Sequence, residues 1–168
     1  MHETQISPQE LSQFQQIMKR NAVDRLYKIE NGLPLSIDEI EELTMLAVQA
    51  DPSDSNKYPF WICEVSKIEL DPSSPRFNQL QVCWYEPKHT ASFTAEQYIN
   101  AGFTAQVSNS TDKRDKHSKP KLKKRICDWI EKECILVVFS HLLSGGKIPK
   151  KVHETLLSIP SVRNAVGL

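Results

Sequence analysis

The sequence predicts an α+β fold: a small, strongly curved sheet, preceded by a pair of helices and followed by a last helix. Residues 58–87, YPFWICEVSKIELDPSSPRFNQLQVCWYEP, hold two aromatic-rich runs with period-2 alternation, the spacing of half-buried strands. Phe60 and Ile62 alternate with Trp61, Cys63 and Val65, and Leu80, Val82 and Trp84 alternate with Gln81, Cys83 and Tyr85. Apolar residues at helical spacing occur towards both ends of the chain. Strands grouped in this way, rather than alternating with helices, indicate α+β and not a parallel doubly wound sheet.

Ser7-Pro8-Gln9-Glu10 opens the first helix, with Ser7 as N-cap, Pro8 at the first helical position and Glu10 completing a capping box. Leu11, Phe14, Ile17, Met18, Ala22 and Leu26 give it one apolar face. Asn31-Gly32 ends it, because both residues tolerate the left-handed backbone of a helix C-terminus. A second helix is expected from Ser36, with Glu39 three residues on and Ile37, Ile40, Leu43, Met45, Leu46 and Val48 carrying it towards Asp51-Pro52. Gly32-Leu33-Pro34-Leu35 joins the two as a helical hairpin.

Residues 51–57 are a polar linker into the aromatic strands, which flank a loop with Pro72, Ser73, Ser74 and Pro75. Residues 90–94 are a candidate short strand, residues 95–101 a helical turn bringing Tyr98 and Ile99 inwards, and residues 103–107 a weak strand. Residues 108–124, SNSTDKRDKHSKPKLKK, have almost no apolar side chain besides Leu122. Such a stretch buries too little surface to offset its ordering entropy and reads as a mobile loop. A strand is expected at residues 126–130. The apolar run CILVVFSHLL, 134–143, suits a buried strand or a buried helix by periodicity; a short buried helix from about Glu133 is the reading adopted. Ser144-Gly145-Gly146 breaks the chain. Ile148-Pro149 opens a last helix, with Val152, Leu156 and Leu157 on its face, that stops before Pro160.

At 168 residues the chain suits one domain with decorations. Basic and acidic residues balance at 21 each, which argues against a uniformly nucleic-acid-binding surface. The charges segregate, however: residues 1–57 carry Glu39, Glu41, Glu42, Asp51 and Asp54, while residues 112–125 concentrate lysine and arginine. Cys63, Cys83, Cys127 and Cys134 lack the C-x-x-C spacing of zinc or redox sites. With no apolar secretory signal at the start, they read as reduced, half-buried thiols of an intracellular protein in preference to disulfides. No run approaches the ~18 consecutive apolar residues of a membrane span, so no membrane partner is expected.

The pieces YPFWICEV, QLQVCWYEP, DWIEKECILVVF and GGKIPKKV together resemble the SH3-like barrel of the chromatin-reader superfamily (Tudor, chromo-barrel, BAH and PWWP relatives). The form they resemble is the one in transposon-encoded and chromatin-associated proteins. There an aromatic PFW strand precedes a WY strand, and a later strand leads into a short helix that closes the barrel. The likeness covers residues 58–103 and 125–152. It implies an N-terminal helical hairpin, residues 1–52, outside the barrel. The SH3-like β-barrel would then span residues 53–168, with the basic loop at about 108–124 inserted and a C-terminal helix. A nuclear, non-enzymatic chromatin- or DNA-associated adaptor is the implied role, the barrel's aromatics taking a protein partner or histone-like tail, or a nucleic-acid backbone, with no cofactor.

Tyr58, Trp61, Trp84 and Tyr85 are the ring candidates for a pocket. Rings around a quaternary ammonium attract it by cation–π forces, which is how aromatic cages read methylated lysine; the plainer reading is that they fill a small barrel. Alternation sends Trp84 coreward with Leu80 and Val82. Tyr58, Trp61 and Tyr85 therefore form the ligand-binding set, with Glu86, or Glu64, as the carboxylate such cages often include. Lys113, Arg114, Lys116, Lys119, Lys121, Lys123, Lys124 and Arg125 form the concentrated basic run. Such a run neutralises phosphates and releases counterions, giving salt-sensitive DNA binding. It equally has the composition of a nuclear localisation signal, or of a solvated loop. Without interleaved aromatics, base stacking is not expected.

His89, His117, His141 and His153 have no ligand spacing, so no metal site is expected. Ser140-His141 and the cysteines assemble no nucleophile–base–orienter set, and Gly145-Gly146-Lys147 lacks the rest of a P-loop. No catalytic residue is expected. The alternative role is a structural subunit of a larger complex, using the helical hairpin, with its acidic face at residues 38–42, and the barrel surface for protein–protein contacts. The oligomeric state is left open.

Overall fold

A computed structural model of the protein describes residues 8–50, 58–88, 95–108 and 124–166. Among these residues four helices, α1 (Pro8–Glu30), α2 (Ala95–Ile99), α3 (Lys150–Ser158) and α4 (Pro160–Val166), accompany eight strands. The strands are β1 (Met45–Val48), β2 (Trp61–Ile68), β3 (Leu80–Pro87), β4 (Phe103–Ala105), β5 (Val107–Ser108), β6 (Lys124–Arg125), β7 (Cys127–Ile130) and β8 (Ile135–Phe139). An antiparallel sheet runs in the order β4-β3-β2-β1-β8, and β7 also pairs with β3. Leu80 to Cys83 pair with β7, and Tyr85 to Pro87 pair with β4. β5 and β6 form a separate two-stranded ribbon.

The α+β class agrees with the sequence; the expected barrel does not appear. Among the described residues no pairing joins β8 to β4 or β7, so the sheet is open. The outer edge of β8 is met instead by Leu35, whose amide donates to the Val138 carbonyl at 2.7 Å. Helices take over the shielding that strand closure gives a barrel. One face packs Met45, Ala47, Phe60, Ile62 and Phe139 against Tyr98, Val152, Leu156 and Val162 of α2, α3 and α4. The other buries Leu46, Val48, Cys63, Val65, Leu80 and Val82 under Leu35, with Ile29 and Ile40 at its margin.

The expected helical hairpin is one helix and one strand. Ser36 and Glu39 do form the capping box, the Ser36 amide donating to Glu39 Oε1 at 3.0 Å, but it opens only a single 3-10 turn, Ile37–Glu39. Leu43 turns the chain with φ 72, and Met-Leu-Ala-Val enters β1, in the sheet between β2 and β8. All four of its residues are buried. A strand covered on both faces reads as a continuous apolar run, which sequence periodicity does not separate from a buried helix. The same ambiguity accounts for β8, a strand where a short buried helix is expected: the chain makes a 3-10 turn at Lys132–Cys134 and then extends.

Other elements follow the sequence. α1 spans Pro8–Glu30, its expected cap Ser7 lying outside the described residues, and ends at Asn31-Gly32, where Gly32 has φ 62 and the Leu33 amide donates to the Lys28 carbonyl at 2.9 Å. α2 buries Tyr98 and Ile99. α3 places Val152 and Leu156 in the core, and Pro160, at a first helical position, starts α4 in addition to the single C-terminal helix expected. The linker at 51–57, the candidate strand at 90–94 and positions 109–123 of the basic loop lie outside the described residues. No helix among the described residues is long and apolar enough to cross a membrane.

Candidate functional site

The strand β3 changes partner at Trp84. Its amide donates to the Ile126 carbonyl at 2.9 Å, and its own carbonyl accepts from the Gln106 amide at 2.9 Å. β7 lies beside β3 before this point and β4 beyond it. At the crossing a cavity of about 420 Å³ opens, lined by Tyr58, Trp61, Trp84, Tyr85, Glu86, Pro87, Tyr98, Gln106, Ile126 and Asp128. Among the described residues no lysine, arginine or histidine lines it.

Each ring is held by a specific partner. Trp61 and Trp84 meet edge to face, centroids 5.6 Å apart, and the Trp84 indole Nε1–H donates to Asp128 Oδ2 at 2.7 Å. Tyr58 stands edge-on to Tyr98 at 5.3 Å. Tyr98 donates its buried hydroxyl to the Phe60 carbonyl at 2.7 Å and touches the rings of Phe60 and Phe103. Burial, with Tyr58 a lesser cause, pushes the Tyr98 hydroxyl well above the ordinary tyrosine range, so it stays a neutral donor.

Tyr85 lies under Arg125, whose Cζ sits 5.0 Å from the ring centroid. Arg125 Nη1 donates to Glu64 Oε1 at 2.9 Å, and the Tyr85 hydroxyl donates to Glu64 Oε2 at 3.5 Å. Burial first, then the Glu64 charge, raises the Tyr85 hydroxyl, with Arg125 opposing.

The predicted ring set, Tyr58, Trp61 and Tyr85, and the predicted carboxylate Glu86 thus line one cavity. Trp84 does share its face with Leu80 and Val82, as alternation requires, but where β3 changes partner it is half-buried and lines the same cavity. Glu64 is at the Arg125–Tyr85 contact instead. Of the basic run, Lys124 is exposed, and Arg125 is half-buried and ion-paired with Glu64. Lys113, Arg114, Lys116, Lys119, Lys121 and Lys123 lie outside the described residues. Sequence reasoning missed Asp128, Gln106 and Tyr98 as lining residues. Their approach depends on the β3–β7 register and on where β3 changes partner, neither of which leaves a local signal.

The cysteines depart from the reduced-thiol reading. Cys83 and Cys127 stand directly opposite in β3 and β7 and are joined by a disulfide, their Cα atoms 4.1 Å apart. Cys63 is buried and Cys134 exposed, both free. Burial pushes the Cys63 thiol far above its ordinary range. Among the described residues no group of His, Cys, Asp and Glu is arranged to hold a metal ion.

In comparisons with family models, with curated proteins and with solved structures, the chain finds no match.

Proposed function

We propose that the chain is a non-enzymatic adaptor of chromatin, acting in the nucleus, whose aromatic cavity takes a lysine side chain, methylated or unmodified, from a protein tail. The basic run from Lys113 to Arg125 adds electrostatic affinity for DNA. The observation that carries this reading is the convergence of Tyr58, Trp61, Trp84 and Tyr85 with the carboxylates of Glu86 and Asp128 on one cavity. Ring faces attract a cation by about 0.5–1 kcal/mol at an exposed site and about 2 kcal/mol when it is desolvated. Carboxylates at the rim complement the ammonium and steer it in. Kinship to the SH3-like chromatin readers rests on the aromatic strand pair, and a transposon-derived origin is an extension of that likeness.

A second reading, a scaffold subunit of a larger complex, is favoured by α1, which leaves Leu11, Ile17, Val23, Leu26 and Tyr27 exposed. Titration of the isotope-labelled protein decides between them. Addition of a trimethyl-lysine tail peptide is expected to shift the Trp61 and Trp84 indole signals saturably, whereas short duplex DNA shifts Lys124 and its neighbours and spares the indoles. Indoles that ignore both lysine and trimethyl-lysine peptides at millimolar concentration would remove the cavity reading and leave the scaffold in front.

A further inference from the structure

Cys83 and Cys127 stand opposite each other in the β3–β7 ladder at a non-hydrogen-bonded position, next to Trp84, whose amide donates to the Ile126 carbonyl. At such positions opposed side chains approach most closely. Three of the four residues flanking the two cysteines belong to the cavity wall, the fourth, Val82, lying in the core. Trp84 follows Cys83, and Ile126 and Asp128 bracket Cys127; all three line the cavity. On the disulfide's side of the strands, Tyr85 and Arg125 stack; on the opposite side, Asp128 holds the Trp84 indole. Among the described residues β7 pairs with β3 alone. The covalent bond therefore reinforces the short edge ladder that brings Asp128 and Ile126 to the rings.

We propose that Cys83–Cys127 is a redox clasp on the aromatic cavity, keeping it formed when oxidised and loosening its β7 wall when reduced by a dithiol of the thioredoxin class. The regulatory part rests on the cavity being the ligand site, as proposed above; the mechanical part does not. Cys127 is half-buried and Cys83 is 7% exposed, so the reductant's thiolate attacks Sγ of Cys127 and Cys83 leaves as a thiolate. The reductant's second thiolate then displaces Cys127 from the mixed disulfide. Two electrons and two protons end on Cys83 and Cys127, and the reductant becomes its own disulfide. Neither remaining cysteine intervenes: Cys63 is buried in β2, and Cys134 lies at the turn before β8, at the other edge of the sheet. In a nucleus that keeps thiols reduced the clasp is open and the cavity binds weakly, and an oxidising episode closes it and raises affinity.

The test uses the full chain, air-oxidised or treated with dithiothreitol. Alkylation of the denatured oxidised protein is expected to label Cys63 and Cys134 alone; labelling of Cys83 and Cys127 as well would overturn the clasp. On reduction the Trp84 indole N–H is expected to exchange with solvent at least tenfold faster, with the signals of α3 and β1 unmoved. Exchange unchanged within twofold, or collapse of the whole spectrum, would equally overturn it, the latter making the bond a global staple. Affinity for a trimethyl-lysine peptide is expected to fall at least tenfold on reduction. The Cys83→Ser/Cys127→Ser double variant is expected to match the reduced protein under both conditions. A peptide that binds neither state, alongside the expected indole response, refutes the ligand reading and leaves the mechanical clasp standing; a peptide that binds both states equally refutes the regulation.

Discussion

Removing the Tyr98 hydroxyl isolates one bond beneath the cavity floor. Tyr98 is 2% exposed, and its hydroxyl donates to the Phe60 backbone carbonyl at 2.7 Å. Tyr98→Phe keeps the ring contacts with Tyr58, Phe60 and Phe103, all near 5.3 Å, and leaves a buried carbonyl without that donor. An orphaned buried acceptor costs about 1–3 kcal/mol. In a chain of this length that lowers Tm by about 2–4 °C per kcal/mol. Tyr98→Ala removes the ring as well and is expected to cost about 3–5 kcal/mol, the usual range for a buried aromatic. Urea denaturation reads both, with midpoints displaced and the slope unchanged, since the surface exposed on unfolding hardly differs. Tyr98→Phe as stable as the parent, or as damaging as Tyr98→Ala, would refute the assignment of a distinct hydrogen-bond contribution to this tyrosine.

Two further perturbations probe the frame around the cavity. Gly146 has φ 74, and a Cβ there would meet the Phe103 carbonyl oxygen at 2.1 Å. Gly146→Ala is therefore expected to cost well over the ~1–3 kcal/mol of left-handed strain alone, whereas Gly32→Ala, whose Cβ would lie 3.4 Å from the Pro149 side chain, costs about 1 kcal/mol; equal losses in a denaturation series would refute the close approach. Alkaline pH is expected to destabilise the fold, because burial holds Cys63 and Tyr98 above their ordinary values of 9.0 and 10.0. Both folded-state pKa values are raised, so this stabilisation is complete below about pH 9. It is lost as pH rises, with a slope of about 1.4 kcal/mol per unit for each group. Unfolding free energy that stays flat from about pH 8 to 11 would contradict it.

Local chemistry made some of the molecule readable. Asn31-Gly32 marked the end of α1, the period-2 aromatics marked β2 and β3, and Tyr98-Ile99 in a polar stretch marked an inward helical turn. The misread segments are those whose partners lie far along the chain. Met45 to Val48 and Ile135 to Phe139 are apolar without a break because both faces of the sheet are covered, so their spacing carries no period to read. The Ser36–Glu39 box is a correct signal of a helical start, but tertiary pairing of β1 with β2 and β8 limits it to one turn. At the site, alternation assigns each ring to a face without saying where β3 exchanges one neighbour for another. That exchange admits Trp84 to the cavity and brings Asp128 to its indole. The 44 residues separating Cys83 from Cys127 hid the disulfide for the same reason.

On the function proposed above, the cavity recognises positive charge through ring faces. Calorimetric titration with a trimethyl-lysine peptide and its uncharged carbon isostere, with a tert-butyl group in place of the trimethylammonium, tests it most directly. The two side chains match in shape, so their difference in affinity isolates charge. A desolvated cation–π contribution of about 2 kcal/mol predicts that the cation binds at least tenfold more tightly, and that Trp61→Ala erases most of the difference. Equal affinity for the two peptides would contradict the account and mark the cavity as a merely apolar cleft.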